Sequence, residues 1–119
     1  MRLIKFRGKR LCDGVWVDGD LVTSLTPKGS MIKCPAISTT YGTIGTFFVQ
    51  RETVGQYTGL RDRDGTEIYE GDIVEHEYYH SKRVVKWDDN QAQFDGWYKS
   101  EEKHYRIVGN IHEPNKVAE

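Results

Sequence analysis

The sequence predicts an all-β, mainly antiparallel fold, and three observations carry that prediction. Apolar residues come in short runs rich in aromatic and β-branched types, such as Thr46-Phe47-Phe48-Val49, which suit a pleated, half-buried surface. Turn residues separate these runs at fairly even spacing, as several short strands in a sandwich or small barrel require. No window sustains the 3.6-residue apolar period of an amphipathic helix.

Taken in order, Leu3–Arg7 is a short strand of mixed apolar and basic residues. Gly14–Val17 and Asp20–Val22 flank Asp18-Gly19, a dipeptide that favours a two-residue hairpin turn, so Gly19 is expected at a turn. Residues 24–46 carry Ser, Thr, Pro and Gly throughout, with Met31-Ile32 and Ala36-Ile37 as small apolar islands. They read as loop with one or two short strands. Thr46–Gln50 is a further strand. Gly59 and Asp64-Gly65 punctuate the next segment, with Asp64-Gly65 at a hairpin turn. Gly71 and Asp72 introduce the strand of Ile73-Val74: glycine supplies positive φ, and the carboxylate accepts nearby N–H groups. Arg83–Trp87 is the following strand, Asp88-Asp89-Asn90 a turn, and Gln91–Tyr98 returns. Ser100–Tyr105 suits one helical turn, and Arg106–Ile111 is the last strand. Asn115 to Glu119 should fray.

Composition bounds the function. The 119 residues suit one domain or two small lobes, and three Trp, seven Tyr and four Phe let a modest apolar fraction build a core. Lys+Arg number 17 and Asp+Glu 18, so no global field draws the chain to nucleic acid or membrane. The charge is uneven, however. Arg2, Lys5, Arg7, Lys9 and Arg10 make the first ten residues basic, whereas Asp62, Asp64, Glu67, Glu70, Asp72, Glu75 and Glu77 dominate residues 61–77. These segments are expected to attract each other or to face solvent. Cys12 and Cys34 form no paired motif and are expected as reduced thiols in the cytoplasm. No stretch approaches the ~20 apolar residues of a membrane span.

The segment from Val54-Gly55-Gln56-Tyr57-Thr58-Gly59-Leu60 to Ile68-Tyr69-Glu70-Gly71-Asp72-Ile73-Val74 resembles the hallmark of the YopX family of phage and prophage proteins. Ile4–Arg7, Val84–Trp87 and Ile107–Glu113 resemble further pieces of the same family in the same order. The resemblance implies a small N-terminal β lobe over residues 1–53 and an SH3-like barrel over 54–114. It implies a phage or prophage origin and no enzymatic activity.

Three constellations look like chemistry. His76-Glu77-Tyr78-Tyr79-His80 fits H-E-x-x-H, a zinc motif that works on a helix, where residues i and i+4 share one face. Here it extends the strand beginning at Ile73, which would hold the two imidazoles ~13 Å apart. His76, Glu77 and His80 are therefore read as a chance match, with no metal and no other cofactor expected. Asp62-Arg63-Asp64-Gly65 lacks calcium-loop spacing, because an EF-hand needs Gly at position six and a carboxylate at twelve. Glu70 and Asp72 have no nucleophile beside them, and no catalytic residue is assigned.

The function expected is a non-enzymatic module that binds another macromolecule, with a protein partner favoured, self-association open and no membrane partner. The alternative is nucleic-acid binding through Lys82, Arg83, Lys86 and Trp97, if their strands pair. Tyr57 and Tyr69 are expected either in the core or as a ligand platform.

Overall fold

The computed structural model describes residues 4–39, 44–88, 93–94 and 104–113, with backbone alone at 87–88 and 93–94. The chain divides into two compact units, Met1–Gln56 and Tyr57–Glu119. Among the described residues every strand pairing is antiparallel and there is no α-helix. The all-β class read from the sequence is the class of the protein.

In the first unit, β1 (Phe6–Lys9), β2 (Trp16–Val22), β3 (Ala36–Thr39) and β4 (Gly45–Phe48) lie in the order β4-β3-β2-β1. The first residues of β5 (Gly55–Arg61) add beside β1, with Phe6 opposite Gln56 and Arg7 opposite Gly55. Ala36, Ile37 and Val49 are fully buried and form the heart of this unit. A short 3-10 turn, Arg51–Thr53, leads into β5. The Thr53 hydroxyl accepts the Lys9 N–H at 2.9 Å and donates to the Gln50 carbonyl at 2.7 Å, tying that turn to β1.

Gly19 departs from expectation. Residues 16–22 form one uninterrupted strand, so Asp18-Gly19 is not a hairpin turn. A two-residue turn needs the flanking strands to pair with each other. Here β2 pairs with β1 through Trp16–Gly19 and with β3 through Asp20–Val22. Glycine is needed for another reason: a Cβ at this position would lie 2.1 Å from the Ser38 carbonyl oxygen.

In the second unit, the rest of β5 pairs with β6 (Glu67–Tyr69), and β7 (Asp72–His76) lies between β8 (Lys82–Val84) and β11 (Tyr105–Asn110). β9 (Trp87–Asp88) and β10 (Gln93–Phe94) form a two-stranded ladder. Among the described residues no ladder closes these strands into a barrel. The core is Ile68, Val74 and Val85, packed on by Leu60, Tyr105 and Ile107. Gly59 also sits inside a strand rather than in a turn. With φ at 87° it lies where the β5–β6 register shifts between Tyr57 and Arg61, the mark of a bulge. Gly65 (φ 85°) is in the loop joining β5 to β6, and Gly71 (φ 95°) is in the turn before β7.

Ion pairs form inside each unit. Lys5 meets Asp18 at 3.6 Å and Arg10 pairs with Asp13. Arg61 meets Glu67 at 3.6 Å and Arg63 meets Glu77 at 3.4 Å. Neighbours brought together by a turn or ladder meet without the cost of ordering distant chain.

Candidate functional site

Two acids of the glycine-rich segment are engaged in holding the fold. Asp62 is 7% exposed. One carboxylate oxygen accepts the N–H groups of Asp64 and Thr66, both at 2.9 Å, and the other accepts the N–H of Ile107 at 3.0 Å. Asp72 is 2% exposed. It accepts the Tyr69 N–H at 2.8 Å and the Asn110 side-chain amide at 3.1 Å, while Asn110 accepts the His112 N–H at 2.8 Å. Both carboxylates thus bind the turns of their own segment to β11. Asn110 has no counterpart in the sequence reading, because nothing local marks it as the partner of a residue 38 positions away.

Tyr57 and Tyr69 leave the list of ligand platforms. Each is 5% exposed, and they pair across the β5–β6 ladder with ring centroids 5.4 Å apart. Rings that buried belong to the core. Lys82 and Arg83 lie exposed on β8, opposite Glu75 and Val74, and Lys86 is exposed two residues past that strand. Trp97, the fourth member of the proposed basic face, falls outside the described residues, as do residues 100–103 of the predicted helical turn, while Tyr105 at its end begins β11.

The H-E-x-x-H segment is not extended. β7 stops at His76, and Glu77–Tyr79 turn, with His80 at φ 55° donating its N–H to the His76 carbonyl at 2.9 Å. The strand-spacing argument against a shared metal therefore does not apply. Hydrogen bonding replaces it: His76 Nδ1 accepts the N–H groups of Tyr78 at 3.2 Å and Tyr79 at 3.4 Å. That lone pair is committed to the backbone. Among the described residues no group of three or more His, Cys, Asp or Glu could hold an ion.

Around this turn Tyr78 and Tyr79 are 68% and 80% exposed. Glu77 lies 3.5 Å from His104 Nδ1 and 3.4 Å from Arg63. Its carboxyl is held below the ordinary range, first by the Tyr78 side chain and then by His104 and Arg63, against some desolvation. The Tyr78 phenol is correspondingly raised, first by its hydrogen bond to Glu77 and then by that residue's charge.

The first unit presents a different feature. The loop after β2 closes where the Cys34 N–H donates to the Leu25 carbonyl at 2.9 Å. Ser30 folds the tip: its N–H donates to Pro27 O at 2.9 Å, and its hydroxyl accepts the Ile32 N–H at 3.1 Å. An Arg51 guanidinium N–H donates to Lys33 O at 3.1 Å, which brings a third cation beside Lys28 and Lys33. All three cationic residues are exposed, Met31 is 99% exposed and Ile32 is 74% exposed. The sequence reading treated Met31-Ile32 as an apolar island only. The available signal was charge: no Asp or Glu occurs between Asp20 and Glu52. By unit the imbalance is plain. Residues 1–56 hold eight Lys/Arg against four Asp/Glu, and residues 57–119 hold nine against fourteen.

These features define an antiparallel all-β protein in which Asp62 and Asp72 hold strands together. The family model described as YopX protein matches residues 5–117, and the chain belongs to that family. Protein EF1440 from Enterococcus faecalis, known from a crystal structure, shares the fold with a TM-score of 0.58 and 23% identity over 100% of both chains. No curated protein matches the sequence. Among the described residues no helix is long and apolar enough to cross a membrane.

Proposed function

We propose that the chain is a non-enzymatic accessory protein of phage or prophage origin that binds a protein partner through the loop Leu25–Cys34. The observation that carries this reading is the pair Met31 and Ile32, 99% and 74% exposed at the tip of a hydrogen-bonded loop. Burying both against a partner would contribute about 3–6 kcal/mol before the costs of association. With Lys28 and Lys33 in the same loop and Arg51 bonded to the Lys33 carbonyl, the fitting partner offers an apolar cleft rimmed by carboxylates. The commitment of Asp62 and His76 Nδ1 to backbone N–H groups, and of Asp72 to the Tyr69 N–H and the Asn110 amide, supports the non-enzymatic part of the reading, because groups so used are not poised for proton transfer. An SH3-like closure of the second unit belongs to the same proposal and comes from the family resemblance.

The test is a photo-reactive residue at position 31, cross-linked in host cells, beside a Lys28→Glu/Lys33→Glu variant. One discrete protein adduct that the charge-reversed loop abolishes is the expected result. A dominant nucleic-acid adduct, or a protein adduct indifferent to the reversal, would overturn it.

A second reading has its own observation: Lys82, Arg83 and Lys86 are all exposed at or beside β8. Single-stranded nucleic acid would bind such a row with an affinity that falls steeply with salt. A salt-steep complex lost in Lys82→Glu/Arg83→Glu would put this reading first.

A further inference from the structure

His76 sits at the hub of the turn that follows β7. It is 5% exposed. Its ring stacks on His104 (centroids 5.6 Å apart, 29°), meets Tyr105 edge-on (5.0 Å, 89°), and lies against Tyr79 (4.7 Å) and Tyr78 (5.9 Å). Its backbone is fixed on both sides, the N–H donating to Ser81 O at 3.0 Å and the carbonyl accepting the His80 N–H. Only the ring can respond to pH without moving the strand.

Accepting two N–H groups at Nδ1 requires that nitrogen to be unprotonated, which assigns the ring proton of the neutral form to Nε2. A proton added at Nδ1 turns the acceptor into a donor that faces two donors. The hydrogen bonds to Tyr78 and Tyr79 are then lost together, which leaves those N–H groups to water. We infer that His76 is a proton-operated latch: neutral, it holds the turn Glu77–His80 closed and presents Tyr78 and Tyr79 in fixed orientation; protonated, it releases them.

Charged and titratable groups from several neighbouring elements face this turn. On its own element and turn, the charged or titratable neighbours are Glu75, Glu77, Tyr78, Tyr79 and His80. From β11 and the residue before it come His104, Tyr105 and Arg106, with Tyr105 opposite His76 and Arg106 opposite Glu75. Lys82 begins β8 opposite Glu75. Arg63 donates its N–H to Tyr105 O at 2.9 Å and approaches Glu77 at 3.4 Å.

The experiment follows the histidine ring and backbone amide resonances of the full chain from about pH 8 to about pH 5, the span in which imidazoles ordinarily titrate. The Tyr78 and Tyr79 amides should shift with the same midpoint as the His76 ring. Their protection from hydrogen exchange, corrected for intrinsic rate, should fall at least ~10-fold on the acid side, the equivalent of about 1.4 kcal/mol. In His76→Asn the side-chain carbonyl accepts the same N–H groups without titrating, so both amides should stay flat. A His76 ring that titrates while these amides do not move would overturn the inference. So would a ring that does not titrate in this range, or an unchanged pH response in His76→Asn. The wild-type titration decides alone should that variant fail to fold.

Discussion

The carboxylate of Asp62 accepts the backbone N–H of Ile107 at 3.0 Å, across 45 residues of chain. Its other oxygen is already filled by Asp64 and Thr66. One side chain therefore shapes the β5–β6 loop and anchors β11 beside it. The residue lies in the family signature for a structural reason, since a buried carboxylate that accepts three N–H groups cannot be replaced without orphaning them.

Asp62→Ala should destabilise the fold by about 3 kcal/mol, because three buried or half-buried donors lose their acceptor. Asp62→Asn should recover part of that loss, since its carbonyl still accepts while its NH2 opposes one donor. Urea unfolding of the two variants checks the order; equal stability of Asp62→Ala and the parent would refute the anchor.

Gly19 and Gly14 should respond to alanine differently. At Gly14 (φ 73°) the space for a Cβ is open, so Gly14→Ala carries only the backbone penalty of about 1–2 kcal/mol. At Gly19 the Cβ meets a backbone oxygen at 2.1 Å and β2 must part from β3. Gly19→Ala should therefore cost more than Gly14→Ala and lower the yield of folded protein, as read by thermal melts.

Arg10 holds the Asp13 carboxyl well below the ordinary value of 3.8, first through their side-chain hydrogen bond and next through the Val15 N–H. A carboxylate depressed in the folded state contributes stability that is full above the unfolded-state value and is lost as pH falls through the folded one. Acid unfolding of the first unit should therefore include this pair. Asp13→Asn should flatten the decline of stability below about pH 4 and leave the melting temperature near neutrality little changed, because the pair is exposed. A steeper acid decline in Asp13→Asn would contradict the assignment.

Met31→Asp/Ile32→Asp should melt within about 0.5 kcal/mol of the parent, since neither side chain contributes to the core. The same variant should lose the cross-linked partner. Loss of folding would show instead that the tip is packed in the native protein.

Much of the architecture was legible along the chain. Short apolar runs and their punctuation gave the antiparallel strands, and the signature residues gave the family. Met31 and Ile32 stood out as apolar in a polar stretch. What misled was local chemistry without its neighbours. Asp18-Gly19 carries the dipeptide of a hairpin, yet it pairs with β1 and runs straight on into the residues that pair with β3. Gly59 resembles a turn and is a bulge. His76–His80 continues a β-like run, and the chain turns because one imidazole caps two amides. The sequence by itself determined the class, because periodicity and turn chemistry are properties of adjacent residues. Only the tertiary structure decided that Asp62 and Asp72 reach β11, that Tyr57 and Tyr69 lie inside, and that His104 stacks on His76. Each depends on segments far apart in the chain being brought together, and no local preference encodes that.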